Sequence, residues 1–201
     1  MKLVGLTGGI GAGKSTVSAR LRERGAVIVD ADAITRELQE PGTEVFAAMV
    51  ARFGDGILAP DGTLDRQAVA AVVFNDPDEL VALNSIVHPA VGKEIFRRIQ
   101  ERIGTDDVVV LDVPLLGKNG LYQVAGVLVV DTPIETAVQR LVELRGMDEA
   151  DARARIANQI SREERVAGAD MVIDNSGAPG DLDAQIDATW DWIESLPDWA
   201  P

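Results

Sequence analysis

Apolar residues fall into five short runs separated by segments of helical period. Lys2–Thr7, Ala26–Asp30, Val108–Leu111, Gly126–Val130 and Met171–Ile173 read as buried strands, because each is dominated by aliphatic residues and is too short for a helix. Ser15–Arg24 reads as a helix, with Val17 and Leu21 four apart and Gly25 as its stop. Pro133–Arg145 opens on a proline suited to a first turn. Gly146–Gly168 is charged and helical, and Leu182, Ile186, Trp190 and Ile193 mark one face of a final helix. Apolar strands alternating with helices imply an α/β fold built on a five-stranded parallel sheet covered on both faces.

The interval between the second and third runs is too long for a single crossover. Residues 31–105 are mostly helical, are punctuated by Pro41-Gly42, Pro60-Asp61-Gly62 and Asn75-Asp76-Pro77, and place Ile95, Ile99 and Ile103 at helical spacing. The expected organisation is a core of residues 1–30 and 106–201, with a lid over about 140–168 and an inserted helical subdomain over 31–105. The tail Asp198-Trp199-Ala200-Pro201 is expected to fray.

Charge narrows the partners. The net charge of −14 repels nucleic acid, and it makes any phosphate site depend on locally concentrated positive charge. Only four lysines occur, Lys2, Lys14, Lys93 and Lys118. No run of 18 apolar residues, no leader before the first strand and no cysteine are present, so a cytoplasmic location away from membranes is expected. A monomer or weak homo-oligomer is the expected assembly.

Gly8-Gly9-Ile10-Gly11-Ala12-Gly13-Lys14-Ser15 fits G-x-x-x-x-G-K-[ST], with a strand before it and a helix after it. Glycines let backbone N–H groups turn inward around phosphate oxygens, and the following helix adds its positive dipole end. Lys14 is then suited to the β- and γ-phosphates of ATP and the Ser15 hydroxyl to Mg²⁺. Gly9, Gly11, Ala12, Gly13 and Thr16 complete the nucleotide-binding loop. A Rossmann site does not fit, because the third glycine of G-x-G-x-x-G would fall on Lys14. A GTPase does not fit either, since no N/T-K-x-D motif occurs.

Carboxylates follow three of the strands. Asp30 and Asp32 flank Ala31 at the end of the second; in extended chain they point to one side, where they could accept a hydroxyl proton or hold Mg²⁺ through water, or they form a solvated turn or helix N-cap. Asp112 closes Val108–Leu111 in the arrangement that helps hold Mg²⁺. Asp131 has the same setting, but Thr132-Pro133 after it suggests the start of a helix and a structural role.

Arg140, Arg145, Arg153, Arg155, Arg162 and Arg165 lie within 26 residues, interleaved with acids. Most suit a solvated hairpin of surface ion pairs. A lid that closes over ATP and offers one or two arginines to the transferring group is the functional alternative, with Arg140 and Arg145 foremost because they end a helix that follows a core strand. His88, the only histidine, is by composition alone more often structural than catalytic.

Taken in order, Val4–Thr16, Asp30-Ala31-Asp32, Val87-His88-Pro89, Asp112-Val113-Pro114-Leu115-Leu116, Arg155-Ile156 with Gln159, and Ala169–Gly177 resemble the dephospho-coenzyme A kinase family over nearly the whole chain. The resemblance implies a P-loop kinase core with a helical substrate domain and a lid, and MgATP-dependent phosphorylation of the ribose 3′-hydroxyl of dephospho-coenzyme A, the last step of coenzyme A synthesis. It implies Asp32 as the base, Lys14 and Ser15 at the phosphates and Mg²⁺, Arg140 as the lid arginine, Asn175-Ser176-Gly177 near the adenine, and His88 and Leu115 near the substrate. Where the family usually carries an apolar residue and then Glu after Pro114-Leu115-Leu116, this chain carries Gly117-Lys118, which places a positive charge at a position expected to touch substrate.

Overall fold

The computed structural model describes residues 1–74, 76–113, 122–177 and 180–199. It divides into two compact units, one of residues 1–29 and 102–201, the other of residues 30–101.

The first unit is built on strands β1 (Lys2–Gly8), β2 (Val27–Asp30), β3 (Val108–Asp112), β4 (Gly126–Asp131) and β5 (Met171–Asp174), in the order β2-β3-β1-β4-β5. The sheet is parallel, with Lys2 opposite Val108, Val4 opposite Gly126 and Leu128 opposite Met171 in its central and outer ladders. All residues of β3 and β4 are buried, which explains why they read as unbroken apolar runs. Val4 and Leu6 of β1, Val108 and Val110 of β3, and Leu128 and Val130 of β4 face Val17 and Leu21 of α1 (Lys14–Glu23) and Leu182, Ile186 and Ile193 of α9 (Asp181–Ser195). The period of two in the strands and of three to four in the helices thus meet in one core.

Beyond β4 the chain forms α6 (Ile134–Arg145), α7 (Glu149–Ala157) and α8 (Arg162–Ala167). The charged helical segment forms two short helices, because Asp148 and Ser161 each start a new one. The Asp148 carboxylate accepts the Ala150 N–H at 2.8 Å, and Ser161 forms a reciprocal capping box with Glu164. Ala152 and Ile156 of α7 pack with Val138 and Leu141 of α6 and with Ile10. Pro133 lies just outside α6 rather than in its first turn, since its ψ of 143° is extended. The tail is not frayed as far as Trp199: the Trp199 N–H donates to the Met1 carbonyl at 2.9 Å.

The second unit holds α2 (Ala31–Leu38), α3 (Glu44–Phe53), a 3₁₀ turn (Asp55–Ile57), α4 (Arg66–Phe74) and α5 (Pro77–Gln100). Val45, Met49, Ile57 and Val87 form its core, with Leu38, Phe53 and Leu83 packed against them. Asp76 caps α5, and Pro89 lies within it and withholds the N–H that would bond the Ser85 carbonyl. Ile103 falls beyond the end of α5 and is exposed, so the spacing with Ile95 and Ile99 does not extend to a shared buried face. No helix among the described residues is long and apolar enough to cross a membrane.

Candidate active site

The loop from Gly8 to Gly13 joins β1 to α1 at the carboxyl end of the central strand. Two of its glycines are required by geometry. Gly11 has φ of 79° and a side-chain carbon there would lie 2.8 Å from the Ala137 carbonyl. Gly13, with φ of 85°, is the N-cap of α1, and a side chain there would collide with the Asn175 amide. The first turn of α1 carries no acidic residue, whereas α5, α7, α8 and α9 each do, so its positive end is left for an anion.

Lys14 pairs with Asp112, and Asp112 is buried at the end of β3, where its second oxygen accepts the Ser18 hydroxyl at 3.0 Å. Ser18 is a residue that sequence reasoning missed; its only signal is that it stands one turn after Lys14 on the same face. Ser15 and Thr16 are exposed at the helix start, and the Ser15 hydroxyl bonds no described residue.

Arg140, half-buried on α6, donates from Nη2 to the Asn175 carbonyl at 2.8 Å. Asn175 in turn donates its side-chain amide to the Ala12 carbonyl at 2.8 Å, so α6, the segment after β5 and the phosphate loop meet through one residue. Hydrogen bonds from the Ser176 hydroxyl and amide hold the Asp174 carboxyl below its usual range and shape the turn that presents Asn175. Gly11, Gly13, Ser15, Thr16, Arg140, Arg145, Asn175 and Gly177, all singled out in the sequence, line one open cavity of about 480 Å³, together with the apolar side chains of Leu141, Leu144 and Leu182. That lining suits a nucleotide, with cations and loop amides for phosphate and an apolar wall for a base.

On the other flank, the Ile10 N–H donates to Gln159 Oε1 at 3.0 Å. Asp131 is the structural residue expected, and its partner is an arginine of the charged segment: Arg162 Nε reaches it at 2.8 Å, and these hydrogen bonds hold the guanidinium more firmly in its charged form. Arg153 pairs with Glu135 and Glu149 on the surface, in keeping with the ion-pair reading of the segment.

In the helical unit, Asp30 and Asp32 do not share a side as they would in extended chain. The backbone turns helical at Ala31; Asp30 becomes the N-cap of α2, accepting the Ala33 N–H at 3.0 Å, and Asp32 sits exposed in the first turn. Residues two apart on a helix diverge. His88 is exposed on α5 and Val87 beside it is buried. Leu115 and Lys118 lie outside the described residues. Among the described residues no group of three or more His, Asp or Glu forms a metal cage. A Mg²⁺ held by one hydroxyl, one carboxylate, waters and phosphates needs none, and the open Ser15 hydroxyl with the Asp112 carboxylate is such an oxygen donor set.

A parallel sheet in this order, with a lysine-bearing glycine loop capping the helix after β1 and arginines converging on that loop, defines a P-loop kinase. The dephospho-CoA kinase family model matches residues 2–181, and the chain belongs to that family. It is 52% identical over 191 residues to the dephospho-CoA kinase of Streptomyces avermitilis, covering 94% of this chain and 93% of that one. It is 50% identical over 196 residues to that of Thermobifida fusca, covering 96% and 97%. Among solved structures, a Thermus thermophilus protein superposes with a TM-score of 0.79 at 33% identity, covering 95% of this chain and 97% of that one.

Proposed function

We propose that the chain transfers the terminal phosphoryl group of ATP to the ribose 3′-hydroxyl of dephospho-coenzyme A, giving coenzyme A and ADP as the last step of coenzyme A synthesis. The observation that carries the donor half is the meeting of Lys14, Asp112 and Ser18 under a glycine loop whose helix end is free of acids. Family membership over residues 2–181 carries the acceptor half.

The loop amides of Gly9, Gly11, Ala12 and Gly13 and the Lys14 ammonium hold the β- and γ-phosphates. Lys14 exchanges its carboxylate partner for phosphate oxygens as nucleotide enters. Ser15, and Asp112 through water, would hold Mg²⁺, which would supply neutralising positive charge at the phosphates. Thr16, Arg145, Asn175 and Gly177 seat the nucleoside end, and Arg140 faces the phosphates from the Asn175 side. Asp32, two residues after the end of β2, orients the acceptor hydroxyl and takes its proton. The helical unit, with His88, Leu115 and Lys118, binds dephospho-coenzyme A, and the α7–α8 segment acts as a lid that excludes water. The enzyme works in the cytoplasm as a monomer or weak homo-oligomer.

A coupled ADP-release assay with dephospho-coenzyme A against a panel of other hydroxyl acceptors tests this reading. Fast release with dephospho-coenzyme A alone is expected. Equal release with other acceptors, or with none, would overturn it.

A further inference from the structure

The lid carries a charge that the roles above do not use. Arg153 and Arg162 each bond carboxylates, on Glu135 and Asp131 respectively. Arg165 bonds none among the described residues; its one hydrogen bond there is from Nη2 to the Ile160 carbonyl, at 2.9 Å. Yet it is the lid arginine held against the phosphate loop. A side-chain carbon placed on Gly9 would lie 2.9 Å from Arg165 Nη1 and 3.4 Å from Cζ, so the guanidinium packs directly on the bare backbone of that residue. Burial disfavours its charge, as the lowered pKa of the group indicates, and the nearby Asp131 is engaged by Arg162. A half-buried guanidinium without a carboxylate, in a chain of net charge −14, is costly unless an anion completes it.

Its position tells which anion. Two cavities flank the loop. The larger, with Asn175, Arg140 and the apolar wall, seats the nucleoside; the lining of the smaller, of about 250 Å³, includes Gly9, Gln159, Arg162, Glu163 and Arg165 and the apolar side chain of Ile156. A phosphate chain that starts on the Gly13 side and follows the loop amides ends on the Gly9 side. Gln159, by accepting the Ile10 N–H, fixes the lid segment there, six residues before Arg165, the basic residue of α8's last turn.

We propose that Arg165 is a catalytic residue that bonds the terminal phosphoryl group of the nucleotide, at the opposite end of the loop from Arg140. This rests on the reading of the loop as an ATP site. The fork of N–H groups on Arg165 can reach two oxygens of the group as it leaves ADP, while Arg140 meets the phosphates from the Asn175 side. Binding requires no co-reactant beyond the nucleotide.

The decisive measurement is nucleotide affinity by calorimetry, with ADP and with the β,γ-imido analogue of ATP, both with Mg²⁺ and without any acceptor. Arg165→Ala should weaken the analogue about tenfold or more, the scale of a lost charge-assisted hydrogen bond, and leave ADP within about twofold. It should also lower kcat about 10²-fold or more, with Arg165→Lys recovering part of the loss. Arg153→Ala, which removes a lid arginine from a surface ion pair, should match wild type in all three. Equal weakening of both nucleotides would assign Arg165 to holding the α7–α8 turn and overturn the proposal, as would no weakening of either or a kcat within about threefold of wild type. Because the affinity arm contains no acceptor, a wrong acceptor would show only in the ADP-release assay. Failure of wild type to bind either nucleotide would instead remove the ATP reading on which the proposal stands.

Discussion

Lys14 and Asp112 form an ion pair that links the first residue of α1 to the last of β3, and Ser18 holds the other carboxylate oxygen at 3.0 Å. The pair holds the lysine beneath its own loop before nucleotide arrives. Asp112 is buried and Lys14 only partly so, so in the mechanism proposed above the carboxylate would stay as the ammonium turns to phosphate. Asp112→Asn keeps the shape and removes the charge. It should lower turnover about 10²-fold and raise the Mg²⁺ concentration needed for half-maximal activity. Lys14→Ala should lower turnover about 10²-fold or more without any rescue by excess Mg²⁺. A Mg²⁺ titration of kcat separates the two, and an unchanged Mg²⁺ requirement in Asp112→Asn would remove this residue from the metal site.

Asp30 and Asp32 are two residues apart and have different work. Asp30 caps α2, so Asp30→Ala should cost about 1 kcal/mol of stability, and Asp30→Asn, an equally good cap, almost none. Both should keep kcat within about threefold, because the carboxylate bonds backbone rather than substrate. Asp32→Asn should keep stability and lower kcat at least about 10²-fold. Paired melting curves and ADP-release rates check this, and near-normal turnover in Asp32→Asn would show that another group takes the proton.

Gly13→Ala tests the loop itself. The substitution meets both a left-handed backbone and the Asn175 amide. The amide can be removed by Asn175→Ala, but the backbone conformation still disfavours a side chain by about 1–2 kcal/mol. ATP affinity should therefore fall at least about tenfold in Gly13→Ala and recover only in part in the double variant. Full recovery, read by calorimetry, would mean that the collision with Asn175 is the whole obstacle.

Much of the nucleotide half of this site was legible in the sequence because it is local. The glycine loop, Lys14, Ser15 and the strand ends all lie within short stretches whose residue types state their backbone needs. Asp112 was legible for the same reason, as a charge closing an apolar run. What stayed hidden depends on contacts across long separations. Nothing in the sequence tells Arg165 from Arg162, which differ only in that one finds Asp131 and the other lies on Gly9. For Asp30 and Asp32 the sequence left open a shared side of an extended strand or a helix N-cap; the cap is what forms, because the chain turns helical at Ala31, and period-two reasoning holds only while the strand continues. The Trp199 anchor was missed because its partner, the Met1 carbonyl, lies at the other end of the chain.

In the helical unit, Glu94 makes a network that is open to titration. Its carboxylate accepts from Arg97 Nε at 2.8 Å and Nη2 at 2.7 Å and from Arg98 Nε at 2.8 Å, while Arg98 also pairs with Glu37 on α2. The hydrogen bond from Arg97 is the main cause that lowers the Glu94 pKa from 4.5 to about 2, against an opposing effect of burial and with help from Arg98. The unfolded chain therefore binds the proton more tightly, and the network stabilises the fold fully above about 4.5 and loses that contribution as pH falls towards about 2. Glu94→Gln should cost about 1 kcal/mol at pH 7, since the pair is near the surface and partly screened. The difference from wild type should shrink steadily as pH is lowered below about 4.5. Far-UV circular dichroism in urea is the suitable probe, because the three tryptophans, Trp190, Trp192 and Trp199, all lie in the other unit and would report its unfolding instead. A difference that stays constant from pH 7 to pH 3.5 would show that Glu94 acts by packing its side chain and not through its charge.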